Sequence, residues 1–287
     1  MIRTVVATIP GGYRVNGARC HQVRLRELTG QDQIFLGDVV GQLPSAQWTT
    51  EVLHRCLSGL DGAEDVNREQ IRSLNVGDRE ALLLQLRQLS FGNRFDCVVS
   101  CPSPDCQEKL DLELRAGELL QSVAPLQMDV HEAQLNDGET TCTVRFRLVT
   151  GDDQEAVIEL ARRDYLAAGD VLLRRCVDRV GGSGTVVEEM PSALKEQLGE
   201  RMSELDPQAE VRLKVTCSAC GRVFDALFDV ASYLLHELQA GMRNLLHEVH
   251  LLAYHYHWGL AEILGMSART RHQFLRLLEA ELAGASR

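Results

Sequence analysis

The sequence predicts an α+β protein: two pseudo-repeated β-hairpin/helix domains sharing a four-cysteine site, followed by a C-terminal helical hairpin. Three observations carry that reading. A series of short motifs occurs twice in the same order, two cysteine pairs fall on expected β-turns, and apolar residues step by three and four from Ala231 onward. The corresponding boundaries are residues 1–118, 119–229 and 230–287.

Length and composition bound the rest. A chain of 287 residues has room for two globular units and one further element. Its 45% apolar content supports a packed core. No apolar run is long enough to span a membrane, and Met1 to Pro10 alternates like a strand instead of a secretory leader. A net charge of −11 argues against free nucleic acid as a partner. Phosphate binding needs a concentrated basic face, and only a small cluster, Arg269, Arg271 and Arg276, is present. Nine cysteines, an odd number without a leader, argue against a disulfide framework. They point to a reducing, cytoplasmic setting in which paired cysteines are metal ligands.

The first copy contains Thr29-Gly30-Gln31-Asp32-Gln33 and the second Thr150-Gly151-Asp152-Asp153-Gln154. Strand-like segments precede them, Val23 to Leu28 and Val144 to Val149. Each threonine stands at an N-cap, and the aspartate three residues later completes a shortened capping box. Downstream, Arg55-Cys56 matches Arg175-Cys176, each cysteine six residues before a glycine, Gly62 or Gly182. Asp78 to Leu89 is an amphipathic helix that Asp78 is expected to cap and Ser90-Phe91-Gly92-Asn93 to end. Pro191 to Leu205 holds the matching place in the second copy. Strands are expected at 94–100, 109–114 and 210–216. Asn136-Asp137-Gly138 reads as a hairpin turn between strands at 126–134 and 140–149.

Cys101-Pro102-Ser103-Pro104-Asp105-Cys106 and Cys217-Ser218-Ala219-Cys220-Gly221 sit at the tips of two of these hairpins. Short spacing lets one turn offer two sulfurs to one ion, and Gly221 can take the positive φ that wraps backbone N–H groups around a sulfur. Soft thiolates favour zinc. Two tips face to face make a closed, zinc-ribbon-like cage, with Cys101, Cys106, Cys217 and Cys220 as ligands and structural zinc (Zn) as cofactor. If each half supplies one pair, the ion clamps the halves together. A free or degraded metal site is the competing reading. Cys56, Cys97 and Cys176 read as packed, and Cys20 and Cys142 as strand residues without a base for nucleophilic work.

In the tail, Leu235, Leu238, Met242, Leu245, Val249, Leu252 and Tyr256 form one helical seam. Leu260 to Leu264 makes a short turn beside Trp258-Gly259 and Gly265, and a second helix runs from after Ser267 to about Leu282. The seam docks either on the chain's own body or on a partner protein. For the second case the partner-binding residues are Leu245, Val249, Leu252, Tyr256, Trp258, Ile263, Leu264 and Phe274. His247-Glu248-Val249-His250 is not a metallohydrolase signature, because the fifth residue is Leu251.

The run Asp78-Arg79-Glu80-Ala81-Leu82-Leu83-Leu84 through Leu89-Ser90-Phe91-Gly92, a strand and Cys101…Cys106, preceded by Leu28-Thr29-Gly30 and Asp32, resembles the small baseplate-hub assembly proteins of T-even-type contractile-tailed phages. The segment from Leu251 through His255-Tyr256-His257-Trp258 to Glu262-Ile263-Leu264, ahead of Arg269, Arg271 and Arg276, is similar to a short helical protein of phage-tail-like contractile injection systems. The second copy lacks the Asp-Arg-Glu helix start. The resemblance implies an assembly or structural protein of a contractile tail baseplate or hub, with chaperoning of the tape-measure protein as one form of the role. It implies hub or tape-measure proteins as partners and incorporation into a phage-like particle as one outcome. No enzyme, nucleic-acid or membrane function is expected. The alternative is a zinc-ribbon, nucleic-acid-associated regulator, which would need a basic face where Asp105, Glu108, Asp111 and Glu113 stand.

Overall fold

The structure, a computed structural model, describes residues 2–39, 42–59, 66–122, 125–126, 128–136, 138, 141–180 and 190–285. Gly62, Gly182 and Asp137, singled out above, lie outside the described residues.

The first half opens with β1 (Thr4–Val15) and β2 (Ala18–Arg26), an antiparallel hairpin. Asn16 and Gly17 both take positive φ at its turn, which suits the right-handed twist of the strands. Helices α1 (Gly30–Asp38) and α2 (Ser45–Cys56) follow, and β3 (Leu57–Ser58) returns to pair with β2. Then come α3 (Arg68–Arg72), α4 (Val76–Phe91), the hairpin β4 (Arg94–Ser100) and β5 (Lys109–Arg115), and the single turn α5 (Ala116–Leu119). The second half runs through the hairpin β6 (His131–Asn136) and β7 (Thr141–Phe146), then α6 (Gly151–Ala161) and α7 (Tyr165–Cys176). The return strand β8 (Val177–Val180) pairs with β7, and α8 (Ser192–Leu205) leads to the hairpin β9 (Arg212–Thr216) and β10 (Val223–Leu227). The tail is α9 (Val230–Tyr256), α10 (Leu260–Leu264) and α11 (Ala268–Ala285).

The two T-G-x-D helices start alike. Thr29 N–H donates to Asp32 Oδ2 at 2.9 Å, and Thr150 N–H to Asp153 Oδ2 at 3.0 Å. Each carboxylate also takes two arginines, Arg26 (2.6 Å) and Arg55 (2.9 Å) on Asp32, Arg147 (2.5 Å) and Arg175 (2.7 Å) on Asp153. Arg26 then reaches the Arg55 carbonyl and Arg147 the Arg175 carbonyl, so each cluster ties the hairpin, the first helix and the end of the second helix together. Burial alone would raise both carboxyls, but the guanidinium contacts and the threonine N–H hold both below the ordinary range. The neighbouring thiols Cys56 and Cys176 are pushed by burial up to about 12, which makes them inert packing groups.

Two cores form, and they do not follow the expected boundaries. The larger unites Ile9, Trp48, Leu83 and Phe95 of the first half with Val211, Leu213 and Val215 before the second cysteine pair and with Leu234 and Leu238 of α9. The smaller holds Ala133, Val144, Phe146, Leu194 and Leu198. Polar contacts join the halves: Thr50 donates to Glu155 at 2.6 Å, and Arg72 pairs with Glu155 at 2.9 Å.

Asp78 does not cap α4. The N-cap is Asn75, and the N–H of Gly77 is bound at 2.9 Å by Asp206 from the second half. Asp78 is buried and accepts the N–H of Gly11 at 3.2 Å, clamping β1 to α4. Gly11 is required for this approach, since a Cβ there would strike the Asp78 carboxylate. The strand expected from Leu126 begins only at His131, because Leu126 donates its N–H across to Pro10.

Candidate metal centre

Four cysteines converge where the hairpins β4–β5 and β9–β10 meet tip to tip. The sulfurs of Cys101, Cys106, Cys217 and Cys220 all lie within 4.8 Å of one another. Cys101 Sγ is 3.7 Å from Cys220 Sγ, and Cys106 Sγ is 3.7 Å from Cys217 Sγ. A tetrahedral ion with metal–sulfur bonds of about 2.3 Å sets its sulfurs about 3.8 Å apart. A disulfide would need about 2.05 Å, and all four thiols are free. Each contact crosses between hairpins, so the site is built by both halves.

Local backbone bonds hold the sulfurs in place. Cys101 N–H donates to Glu108 O and Cys106 N–H to Ser103 O, with Gln107 at φ +51 turning the chain. On the other tip, Cys217 N–H donates to Arg222 O and Gly221 N–H to Cys217 O, with Gly221 at φ +73 as its position after the pair suggests. Cys101 and Cys217 are buried, Cys106 is half-buried and Cys220 is exposed. The backbone N–H groups of Cys220 and Ala219 outweigh burial and draw the Cys217 thiol down to about 7. The Glu108 N–H lowers Cys106, but burial and three neighbouring sulfurs push it up to about 12. Four thiols this close share protons, and a soft divalent cation would ionise them together. With four protein sulfurs no coordination position stays open for substrate, so the set can fix structure but not activate water.

The histidines of the tail, read as no metallohydrolase signature, stand apart from this site. Among the described residues, the four cysteines are the one group able to hold a metal. His247, His250 and His257 are exposed along the end of α9, and Glu248 instead pairs with Arg271 and His272, both at 2.7 Å. Asp105, Glu108, Asp111 and Glu113 are exposed around the first cysteine hairpin, an acidic surface.

The tail residues expected at a partner are used inside the chain. Leu245, Leu252 and Ile263 are buried, because α9 and α10 pack on α1, with Met242 against Gly37 and Leu264 against Gly30. Tyr256, Trp258 and Phe274 close on one another, Trp258 stacked on Tyr256 at 4.7 Å and edge-on to Phe274 at 4.8 Å. Val249 is half-buried on the same helix. Leu245, Leu252 and Ile263 are therefore packing groups of a docked tail, and the other five are half-buried. The apolar side chains left exposed on it are Leu246, Tyr254, Leu260, Leu277 and Leu282. Sequence reasoning missed the buried pair Arg271–Glu248 and the pair Arg87–Glu237 that anchors α9 on α4 at 2.7 Å. It also missed a cavity of about 430 Å³ lined by Gly11, Asp78, Gln85, Leu126, Asp206 and Gln208.

By fold and site, this is a mixed α+β protein in which two cysteine-bearing turns meet. The chain belongs to the family described as T4 bacteriophage base plate protein, whose profile matches residues 20–234, from β2 through both cysteine pairs into α9. No curated protein and no solved structure matches it. Its role is a structural or assembly one in a phage baseplate, among other baseplate proteins.

Proposed function

We propose that the chain is a non-enzymatic assembly component of the baseplate hub, built from an internal duplication and held by one structural zinc ion at Cys101, Cys106, Cys217 and Cys220. The observation that carries the baseplate role is the family match over residues 20–234. The zinc reading is supported by sulfur separations of 3.7 Å across the two hairpins. Duplication is supported by the common order of elements and by the matched Asp32 and Asp153 clusters. In this reading the zinc stiffens the chain, and the exposed apolar side chains Leu246, Tyr254, Leu277 and Leu282 meet a hub or tape-measure protein while the particle is built.

The test is co-purification of the full-length chain with hub and tape-measure proteins, beside a full-length variant carrying Leu277→Ser and Leu282→Ser. Both leucines are exposed, so the variant should fold. Capture by the wild type and loss in the variant is the expected result. A wild-type chain that retains neither protein would overturn the assembly reading.

A further inference from the structure

One docking geometry occurs at two places in the chain, residue for residue. Residues 67–79 and 259–271 each form a short helix, a turn and the start of a longer helix. At the first cap, Gln70 Oε1 accepts the Asn67 N–H at 2.9 Å and Glu262 Oε2 accepts the Gly259 N–H at 2.8 Å. The turns close through Ser73 N–H to Glu69 O and Gly265 N–H to Ala261 O, both at 2.9 Å. Leu74 N–H then donates to Ile71 O, as Met266 N–H does to Ile263 O. The longer helices start with Arg79 N–H to Asn75 O and Arg271 N–H to Ser267 O, both at 3.1 Å. Ile71 and Ile263 are 0% exposed, and Arg79 and Arg271 are each 1% exposed.

Both segments dock on the N-terminus of a T-G-x-D helix. Gly151 N–H donates to Leu74 O at 3.1 Å, and Gly30 N–H donates to Met266 O at 3.0 Å. Asn75 bridges Thr150 and Ser267 bridges Thr29, each as an isolated antiparallel pair. A Cβ at Gly151 would collide with the Arg79 guanidinium, and one at Gly30 would press on that of Arg271. Arg79 donates to the carbonyls of Ile71 and Ala46 and to Thr50, and Arg271 donates to the Met266 carbonyl, Glu248 and Gln33. The physical logic is common to both. A helix start has spare N–H donors, glycine admits a foreign backbone to them, and the guanidinium ties a carbonyl of the intruding turn to a neighbouring helix, α2 for Arg79 and α1 and α9 for Arg271.

We infer that the T-G-x-D cap is a docking socket for helix–turn–helix hairpins, and that α10–α11 fills the first socket as α3–α4 fills the second. The partner such a socket fits is a hairpin with a buried arginine twelve residues after its first cap, as in Asn67 to Arg79 and Gly259 to Arg271. The helix α8 is not such a plug: the basic residue in its first turn, Lys195, pairs with Asp170 of its own half at 2.8 Å. Neither the metal nor the baseplate role enters this inference.

Amide hydrogen exchange on the full-length chain tests it. Arg271→Met should speed exchange at Gly30 by about tenfold or more while Gly151 and the cysteine hairpins stay protected, and Arg79→Met should do the same at Gly151. A graft placing the residues of 74–78 at positions 266–270 should keep Gly30 protected, because the shared contacts are backbone groups and Arg271. A labelled peptide of residues 257–285 should bind the full-length Arg271→Glu chain, whose socket is open, and not the wild type. Protection at Gly30 that survives Arg271→Met, a graft that exposes Gly30 as fully as Arg271→Met, or a peptide that ignores the opened chain would overturn the proposal.

Discussion

Replacing Cys217 with serine should cost about 4–5 kcal/mol of stability. Cys217 is 1% exposed and its sulfur faces Cys106 Sγ across 111 residues of chain. Two limits bracket the effect. If the ion stays on the unfolded chain it closes a loop of that length, and chain entropy gives about 4.7 kcal/mol for roughly 100 residues. If the ion leaves on unfolding, the gain is set by mass action, about 4.1 kcal/mol at 1,000 times the dissociation constant. For a chain of this size the corresponding fall in melting temperature is about 7–8 °C. The assay is thermal unfolding of wild type and Cys217→Ser, each with and without a chelator, alongside elemental analysis. Chelator should lower the wild-type transition by the same amount and leave the variant unmoved. A wild type that melts unchanged in chelator and carries no zinc would refute the reasoning.

Two further outcomes follow from buried groups. Burial pushes the Asp78 carboxyl up to about 7 and that of Asp206 up to about 6, so both are held more comfortably when protonated. Their contribution is complete below about pH 4 and is lost as pH rises through 6 to 7, by up to about 4 kcal/mol for Asp78. Asp78→Asn keeps an oxygen for the Gly11 N–H, so its denaturant midpoint should vary less between pH 4 and 8 and exceed that of the wild type at pH 8. Equal slopes would count against it. Leu198→Ala, at a side chain 0% exposed in the smaller core, should cost about 2–5 kcal/mol. Hydrogen exchange should rise in α8 and β6 and stay unchanged at Leu82 to Leu86; a uniform rise would mean that the two cores unfold as one.

What the sequence made legible was local. Thr29 and Thr150 cap their helices because the signal, a threonine with an acid three residues on, lies within one turn. The four cysteines were legible because short spacing and a following glycine encode a turn that presents sulfur. The failures are all of long range. Periodicity in α9 reports that one face is apolar but not what covers it, and the cover is α1. Asp78 stands where a cap could stand, but its acceptor is taken by Gly11, 67 residues away. The Ile and Arg spacing shared by 67–79 and 259–271 was present in the sequence. It carries no signal on its own, because an arginine that will be buried looks the same in sequence as a solvated one.

The division of the cores changes what the cysteine site holds. If the ion merely tied two independent halves, each hairpin would lie on the core of its own half. Instead Val211, Leu213 and Val215, which lead into Cys217, pack with Phe95 and Leu110 of the first half, and α9 begins immediately after on the same core. The smaller core, from Ala133 to Met202, contributes no cysteine ligand and touches the larger one through Thr50, Arg72, Gly77 and their partners Glu155 and Asp206. An ion held by the four sulfurs would therefore fix β9–β10, and with it the first turns of α9, to the first half. Losing the ion should loosen the root of the tail before it disturbs the second core. The four sulfurs lie one hairpin away from that root.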